Sequence, residues 1–387
     1  MDRIYRLGLT WILVCMVSIF GTVWAYGEEP DTENIDLKAL TALLADAETG
    51  RVLYDKNADA PMAMASTTKI MTCLVILENA ELDEVVTVSD YAASMPDVQL
   101  NAVSGDAFYI EDLLYALMLE SHNDVAVALA EHVGGSEKDF SEMMNRRAKE
   151  MGCTNTKFVT ANGLDAENHY TTARDLAQIT IEALKNEIFL KIIQTSEYSF
   201  ENISGTRSYY VSNKNSFLNQ MEGAYGVKTG FTNNAGYCFV GAAVQDEKNL
   251  VSVVLGSGWP PNKEWKWTDT IKLMNYGFSN FSYRKINPAK IDVGTLLVED
   301  GVQSCAVLKT DSIEEKLLMS ETDKLSVNIV KEFKRKAPVN EGEVVGWIDY
   351  QINNESVKKY PIYIEHTIMK KTYADYLKQV FRCWTMF

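Results

Sequence analysis

Several functional classes are excluded by what this 387-residue chain lacks. Its six cysteines, Cys15, Cys73, Cys153, Cys238, Cys305 and Cys383, form no C-x-x-C pair, and no His/Cys cluster has metal-ligand spacing, so no metal or cofactor is expected. Most of the cysteines are expected to be small buried hydrophobes, Cys73 above all because it lies inside an apolar run. Positive charge is short: 37 Lys and Arg stand against 53 Asp and Glu, and the net charge of −16 argues against nucleic acid as a partner. There is no internal repeat, no low-complexity tract and no G-x-S-x-G elbow, and nothing suggests a Ser-His-Asp triad. A hydrophobic fraction of 47% with 23% charged residues is that of a globular protein, and the length points to two domains.

Long uncharged runs are also scarce, with one exception. Arg3 and Arg6 precede a stretch from Leu7 to Tyr26 without charge, and Val23 and Ala25 offer a small-residue cleavage site. Residues 1–25 therefore read as a secretory signal peptide; the run is also long enough for an uncleaved anchor, and export follows either way. Removal of that segment leaves a charge near −17. Against this acidity, residues 366–387 carry Lys370, Lys371, Lys378 and Arg382 with Asp375 alone. Met369, Tyr373, Tyr376, Val380, Trp384 and Phe387 fall on one helical face there. A basic helix with an aromatic face suits an anionic membrane surface; the competing reading is a helix docked on its own domain.

Between the ends, the patterning is of an α+β protein. "LTALLADAETGRVLYDKNAD" reads as a β-hairpin, and "IEDLLYALMLE", "VAVALAEHVGG", "SEKDFSEMMNRRAKEMG" and "TTARDLAQITIEALKN" read as helices. "GAYGVKTGFT", "AGYCFVGAAVQ" and "NLVSVVLGSG" read as successive strands, followed by the helix "KWTDTIKLMNYGFSNF". Helices inserted between a hairpin and a later strand meander predict an antiparallel sheet flanked by helices over residues 30–284. The short alternating strands of 285–363 predict a small all-β domain, with its boundary near "RKINPAK", ahead of the C-terminal amphipathic helix.

Ser66 and Lys69 stand three apart at the head of the apolar helix "KIMTCLVIL". Most lysines at such positions reach out to solvent. The alternative is chemical: a serine hydroxyl needs a base, and burial lowers a lysine pKa until its amine serves as one. The same spacing recurs at Ser282/Lys285 and Ser356/Lys359, away from any long apolar helix, so alone it says little. Two further elements follow in order. "SHND" places Ser121 and Asn123 at a helix–helix turn, and Lys228, Thr229 and Gly230 form a K-T-G at the end of a strand, where glycine lets a substrate backbone approach. S-x-x-K, an S-x-N turn and K-T-G in that order are the signature of penicillin-binding proteins and class A β-lactamases.

On these motifs, and on "DAETGRVLYDKNAD", "TKFVTANGLDAENHYTTARDLA" and "WKWTDTIKLMNYGF", the chain from about residue 35 onward resembles the low-molecular-mass penicillin-binding proteins, the serine-type D-alanyl-D-alanine carboxypeptidases. The resemblance implies a β-lactamase/transpeptidase-like catalytic fold, a β-rich second domain and an amphipathic membrane helix. It also implies a peptidoglycan stem peptide ending in D-Ala-D-Ala as substrate and β-lactams as covalent inhibitors. Ser66 would be the nucleophile and Lys69 its base. Ser121 would relay a proton to the leaving D-alanine, Asn123 would bind a donor amide, and Lys228 would assist electrostatically. Thr229 would hold the terminal carboxylate, and the N–H groups of Ser66 and Phe231 would form the oxyanion hole. Where family members carry an arginine for that carboxylate, this chain has Lys266, a point charge in place of a bidentate fork. His122 is expected to be a bystander partly facing solvent, and His169 to fix a loop. A transpeptidase or endopeptidase shares the acyl-enzyme and stays open. A β-lactamase would need a glutamate in an E-x-x-L-N setting, which the loop holding Glu167 lacks, and a non-catalytic scaffold would show a damaged motif.

Overall fold

The computed structural model describes residues 35–310 and 314–384; the N-terminal segment expected to direct export, with Cys15, and Phe387 of the tail lie outside them. A five-stranded sheet organises the first part. Its strands are β1 (Thr41–Asp46), β2 (Val52–Lys56), β3 (Ala224–Thr232), β4 (Gly236–Gln245) and β5 (Lys248–Leu255), ordered β2-β1-β5-β4-β3 and antiparallel throughout. The expected hairpin and meander are both present, and the meander leaves β3 at the edge. β1 and β5 are buried along almost their whole length because helices cover both faces.

Besides a single helical turn at Asp90–Ala93, the helices of this part are α1 (Lys69–Asn79), α2 (Ile110–Leu119), α3 (Asn123–Gly134), α4 (Glu137–Glu150), α5 (Ala173–Ala183), α6 (Glu187–Gln194) and α7 (Trp265–Asn280). Their ends follow local chemistry. Ser136 and Thr172 accept N–H bonds from Asp139 and Asp175 as N-caps, and Gly135 closes α3 at φ +77°. α1 is buried along eight successive residues, Lys69 to Ile76, at the centre of the larger core. α7 covers the opposite face, where Trp267 meets Phe239 edge-on at 4.6 Å. Buried Asp269 accepts the N–H groups of Lys38 and Ala39 and the Ser257 hydroxyl, tying α7 to the start of β1 and the end of β5. α6 and a hairpin of Glu197–Glu201 with Ser208–Ser212 were not anticipated from the sequence pattern.

A second core lies within β6 (Ser282–Ile286), β7 (Thr295–Glu299), β8 (Cys305–Thr310), β9 (Glu315–Met319), β10 (Leu325–Lys331), β11 (Lys334–Lys336), β12 (Val344–Ile352) and β13 (Glu355–Ile364). Six of these form a sheet ordered β10-β12-β13-β8-β7-β11, and β6 pairs with β9. Arg51, on the turn joining β1 and β2, joins the two parts: it donates to Leu318 O (2.7 Å) and forms an ion pair with Asp323 (2.7 Å).

The tail differs from the expectation of helix from residue 366. Ile368 is buried in the second core and bridges to Val339, Gly301 bridges to Lys370, and the helix α8 begins only at Tyr373 and runs to Trp384. Thr372 and Asp375 bond reciprocally at its start. Tyr376 touches the β domain, its hydroxyl donating to Asp300 Oδ1 (3.2 Å), whereas Tyr373 is 80% and Trp384 81% exposed. No helix among the described residues is long and apolar enough to cross a membrane. Cys73, Cys153 and Cys238 are buried as expected, whereas Cys305 is exposed.

Candidate active site

Ser66 lies in a single 3₁₀ turn, Ala65–Thr68, that feeds directly into α1. In 3₁₀ geometry side chains three apart eclipse, so the turn sets Ser66 directly over Lys69. Ala65 adopts φ +49°, an uncommon backbone state for a residue with a Cβ, and the neighbouring loop explains how it is held. Gly163 packs so tightly there that a Cβ would come 2.1 Å from Ala65 O. His169 braces the same turn: its Nδ1 accepts the Val159 N–H (3.0 Å), so Nε2 carries the hydrogen and donates to Thr68 Oγ1 (2.9 Å), which donates to Ala65 O. Burial pushes the His169 pKa down to about 4. Its loop-fixing role is as expected.

Lys69 is 0% exposed. Its Nζ lies 3.1 Å from Ser66 Oγ and 2.9 Å from Asn123 Oδ1, and it touches Asn162 O. Burial pushes its pKa well below the ordinary lysine value, and the nearby charge of Lys228 pushes the same way, against a smaller pull from Asp124. A neutral amine has two N–H bonds and one lone pair. The two carbonyl oxygens take both N–H bonds, which leaves the lone pair for the Ser66 hydroxyl proton. Asn123 is itself fixed, since its Nδ2 donates to Pro96 O (3.0 Å) and its backbone N–H to Val98 O (2.7 Å). Asp124 holds the same loop by accepting the N–H groups of Leu100 and Ala102.

The edge strand β3 closes the other side. Gly230 lies against the 3₁₀ turn, where a Cβ would sit 2.9 Å from Ser66 N, so the absence of a side chain is what allows the contact. Lys228 is buried, and burial alone pushes its pKa down to about 7. Thr229 and half-exposed Phe231 point to the opposite side of β3, the side of Tyr237 and Phe239 in the paired register. Lys266 of α7 reaches that side: its ammonium lies 4.9 Å from the Tyr237 ring centre and donates to Lys263 O (2.7 Å). Burial lowers its pKa to about 8. Ser121 joins α2 to α3 at φ +74°, and its Oγ is buried without a hydrogen-bond partner among the described residues.

The structure thus gathers Ser66, Lys69, Asn123, Lys228 and Gly230 around one point and sets Lys266 apart on the Thr229 side. One expectation is corrected. His122 does not face solvent; it is 3% exposed at the start of α3, with its Nε2 3.3 Å from Glu120 Oε2. Motif reading missed the Asn162 carbonyl, since a backbone oxygen has no residue-type signal, although its loop was singled out. Glu167 of that loop is exposed, and no carboxylate of the loop bonds Ser66 or Lys69 among the described residues. No group of acidic, His and Cys residues could hold a metal ion among the described residues.

Residues 28–258 match the D-alanyl-D-alanine carboxypeptidase family and residues 283–370 the C-terminal domain of penicillin-binding protein 5. The D-alanyl-D-alanine carboxypeptidase DacF of Bacillus subtilis is 30% identical over 99% of both chains. Penicillin-binding protein 5 of Haemophilus influenzae superposes with a TM-score of 0.72 at 26% identity, over 89% of this chain and 100% of that one. The Streptomyces K15 DD-transpeptidase does so at 0.59 and 35% identity, over 63% of this chain and 98% of its own.

Proposed function

This chain belongs to the D-alanyl-D-alanine carboxypeptidase family, serine peptidases that act on peptidoglycan, and from that premise we propose that its chemistry runs through an acyl-enzyme on Ser66. The observation that carries the reading is the set of contacts at Lys69, a buried amine within reach of Ser66 Oγ, Asn123 Oδ1 and Asn162 O. In its neutral form the two carbonyl oxygens take its N–H bonds and the lone pair is left for the Ser66 hydroxyl. Ser66 Oγ attacks the carbonyl carbon of the terminal D-Ala-D-Ala bond as its proton passes to Lys69 Nζ. The oxyanion forms beside the close approach of Gly230 to the start of α1, where the Ser66 and Phe231 N–H groups serve it. Ser121, whose Oγ has no hydrogen-bond partner among the described residues, passes a proton to the departing D-alanine amine. Asn123 orients the donor peptide and the Lys228 charge lowers the Lys69 pKa, so that the resting amine is unprotonated. Thr229, with Lys266 on its face of β3, holds the terminal carboxylate. Water then releases the shortened stem peptide.

The finer assignments belong with this reading. Residues 1–25 direct export, 30–284 form the catalytic domain, and 285–363 carry it above the outer face of the cytoplasmic membrane, to which the exposed aromatic face of α8 attaches peripherally. β-Lactams acylate Ser66. The likeness to the Streptomyces K15 DD-transpeptidase favours testing an amine acceptor as well as water.

The decisive experiment is mass spectrometry after brief incubation with penicillin, paired with D-alanine release from a D-Ala-D-Ala peptide. A long-lived adduct on Ser66, D-alanine release, and loss of both in Lys69→Ala with an unchanged circular-dichroism spectrum are expected. Normal acylation of Lys69→Ala would remove it from the role of base. Transfer to an added amine in preference to water would make the chain a transpeptidase.

A further inference from the structure

The turn between α2 and α3 holds two consecutive residues with a buried polar atom that has no hydrogen-bond partner among the described residues: Ser121 Oγ and His122 Nδ1. The proposed reaction uses the first. The second has no place in it.

The His122 ring is packed at the N-terminus of α3 and lies 3.3 Å, through Nε2, from Glu120 Oε2. A carboxylate only accepts, so Nε2 carries the hydrogen and Nδ1 is a bare lone pair. Glu120 is held in turn by Lys214 Nζ (2.8 Å) and by the Ser212 N–H (3.1 Å), which connects the turn to the hairpin strand 92 positions away. The charged groups facing the ring are few. Glu120 ends α2, and Asp124 of α3 is committed to the N–H groups of Leu100, Ala102 and Val125. Lys214 beyond Glu120 and Lys228 of β3 beyond Lys69 are the cations, and Lys69 of α1 joins them whenever it takes up a proton. The loop at 96–98 presents carbonyls, and Asn123 occupies those of Pro96 and Val98. A proton on Nδ1 therefore has no acceptor among the described residues. Burial holds the ring below the ordinary histidine range, and Lys69 adds to that against the pull of Asp124 and Glu120.

We propose that His122 is a positioning residue for acylation: as a neutral ring it pins the left-handed Ser121 through Glu120 and keeps positive charge away from Lys69. The inference rests on the reading of Lys69 as the base. When the Ser66 Oγ–H bond breaks and an Oγ–C bond forms, the carbonyl π pair moves to oxygen and the proton joins the Lys69 lone pair, making an ammonium. A second cation at His122 opposes that charge where little solvent screens it. Protonated His122 therefore slows the step, and the chain loses acylation on the acid side faster than titration of one base would cause.

The test is the rate constant for acylation of the full chain by a fluorescent penicillin between about pH 4.5 and 9. Wild type, His122→Gln and His122→Ala are compared. The wild-type acid limb is expected to fall by more than tenfold per pH unit. His122→Gln, which can still donate to Glu120 but not titrate, keeps its plateau within about threefold and falls no faster than tenfold per unit. His122→Ala, which loses the Glu120 bond, drops in plateau by about tenfold or more. Superimposable normalised profiles of wild type and His122→Gln overturn the proposal, as does a wild-type plateau in His122→Ala. If the variants do not fold, ring-proton NMR of the wild type decides, since the chain has only four histidines. A His122 midpoint coinciding with the steep acid limb supports the proposal; a ring already protonated at neutral pH overturns it. Wild type that takes up no penicillin at any pH overturns the reading of Ser66 and Lys69, and this inference with it.

Discussion

A buried lysine without a carboxylate partner destabilises the fold that contains it, and this site holds two. The unfolded chain keeps the Lys228 proton up to the ordinary value of 10.5, the folded chain only to about 7. Between those values unfolding takes up a proton, so stability rises with pH; below about 7 both states are protonated and the full penalty is present. Lys228→Met is therefore expected to raise the melting temperature most below pH 7, the gain fading as pH climbs toward 10.5. The separation of the two values caps the gain at about 5 kcal/mol. The same substitution removes the charge that helps keep Lys69 neutral, so residual acylation should need a higher pH. Thermal melts across that range decide: a gain independent of pH would show that the Lys228 charge is not its source. At Gly163, φ is +84° and a Cβ would collide with Ala65 O. Gly163→Ala should cost about 2–4 kcal/mol and abolish penicillin labelling, read by chemical denaturation and gel fluorescence.

At the scale of elements, α8 and the loop facing Lys69 teach different lessons. Because Ile368 belongs to the second core, the tail should be cut after Thr372 and not at residue 366. That truncation is expected to end sedimentation with anionic vesicles while leaving the melting temperature within about 2 °C. Unchanged sedimentation would place the attachment elsewhere. Long periodic helices and the K-T-G strand were legible in the sequence because burial repeats at 3.6 or 2 residues and leaves a pattern. Beyond α6 and the hairpin of Glu197–Glu201 with Ser208–Ser212, three features were not legible for physical reasons. The Asn162 carbonyl is backbone, common to every residue. The Glu120 carboxylate beside buried His122 is held by Ser212 and Lys214, some 90 positions downstream, so no local window shows that arrangement. The tail helix begins late because Ile368 pairs with Val339, a tertiary contact that overrides a continuous helical periodicity.

Considered whole, the molecule joins its α+β and β-rich parts through very few buried charges. Arg51 and Asp323 are both nearly enclosed, and Asp323 also accepts from the Ser320 N–H and Asn353 Nδ2. Removing the guanidinium leaves that carboxylate buried without its cation, so Arg51→Ala should destabilise by about 3 kcal/mol. Calorimetry is expected to show the β-rich part melting first while penicillin labelling of the remainder persists. A single unshifted transition would show that the pair contributes nothing to the junction.

The distribution of thiols has a practical consequence. Burial raises the Cys153 and Cys238 pKa to about 12 and that of Cys73 further still, so none of these three offers a thiolate to an electrophile near neutrality. Cys305 sits in the open on β8. In the chain truncated after Thr372, which also loses Cys383, a maleimide dye should therefore mark Cys305 on the β-rich part ahead of the three buried thiols and leave the acylation chemistry untouched, a reporter that needs no engineered cysteine.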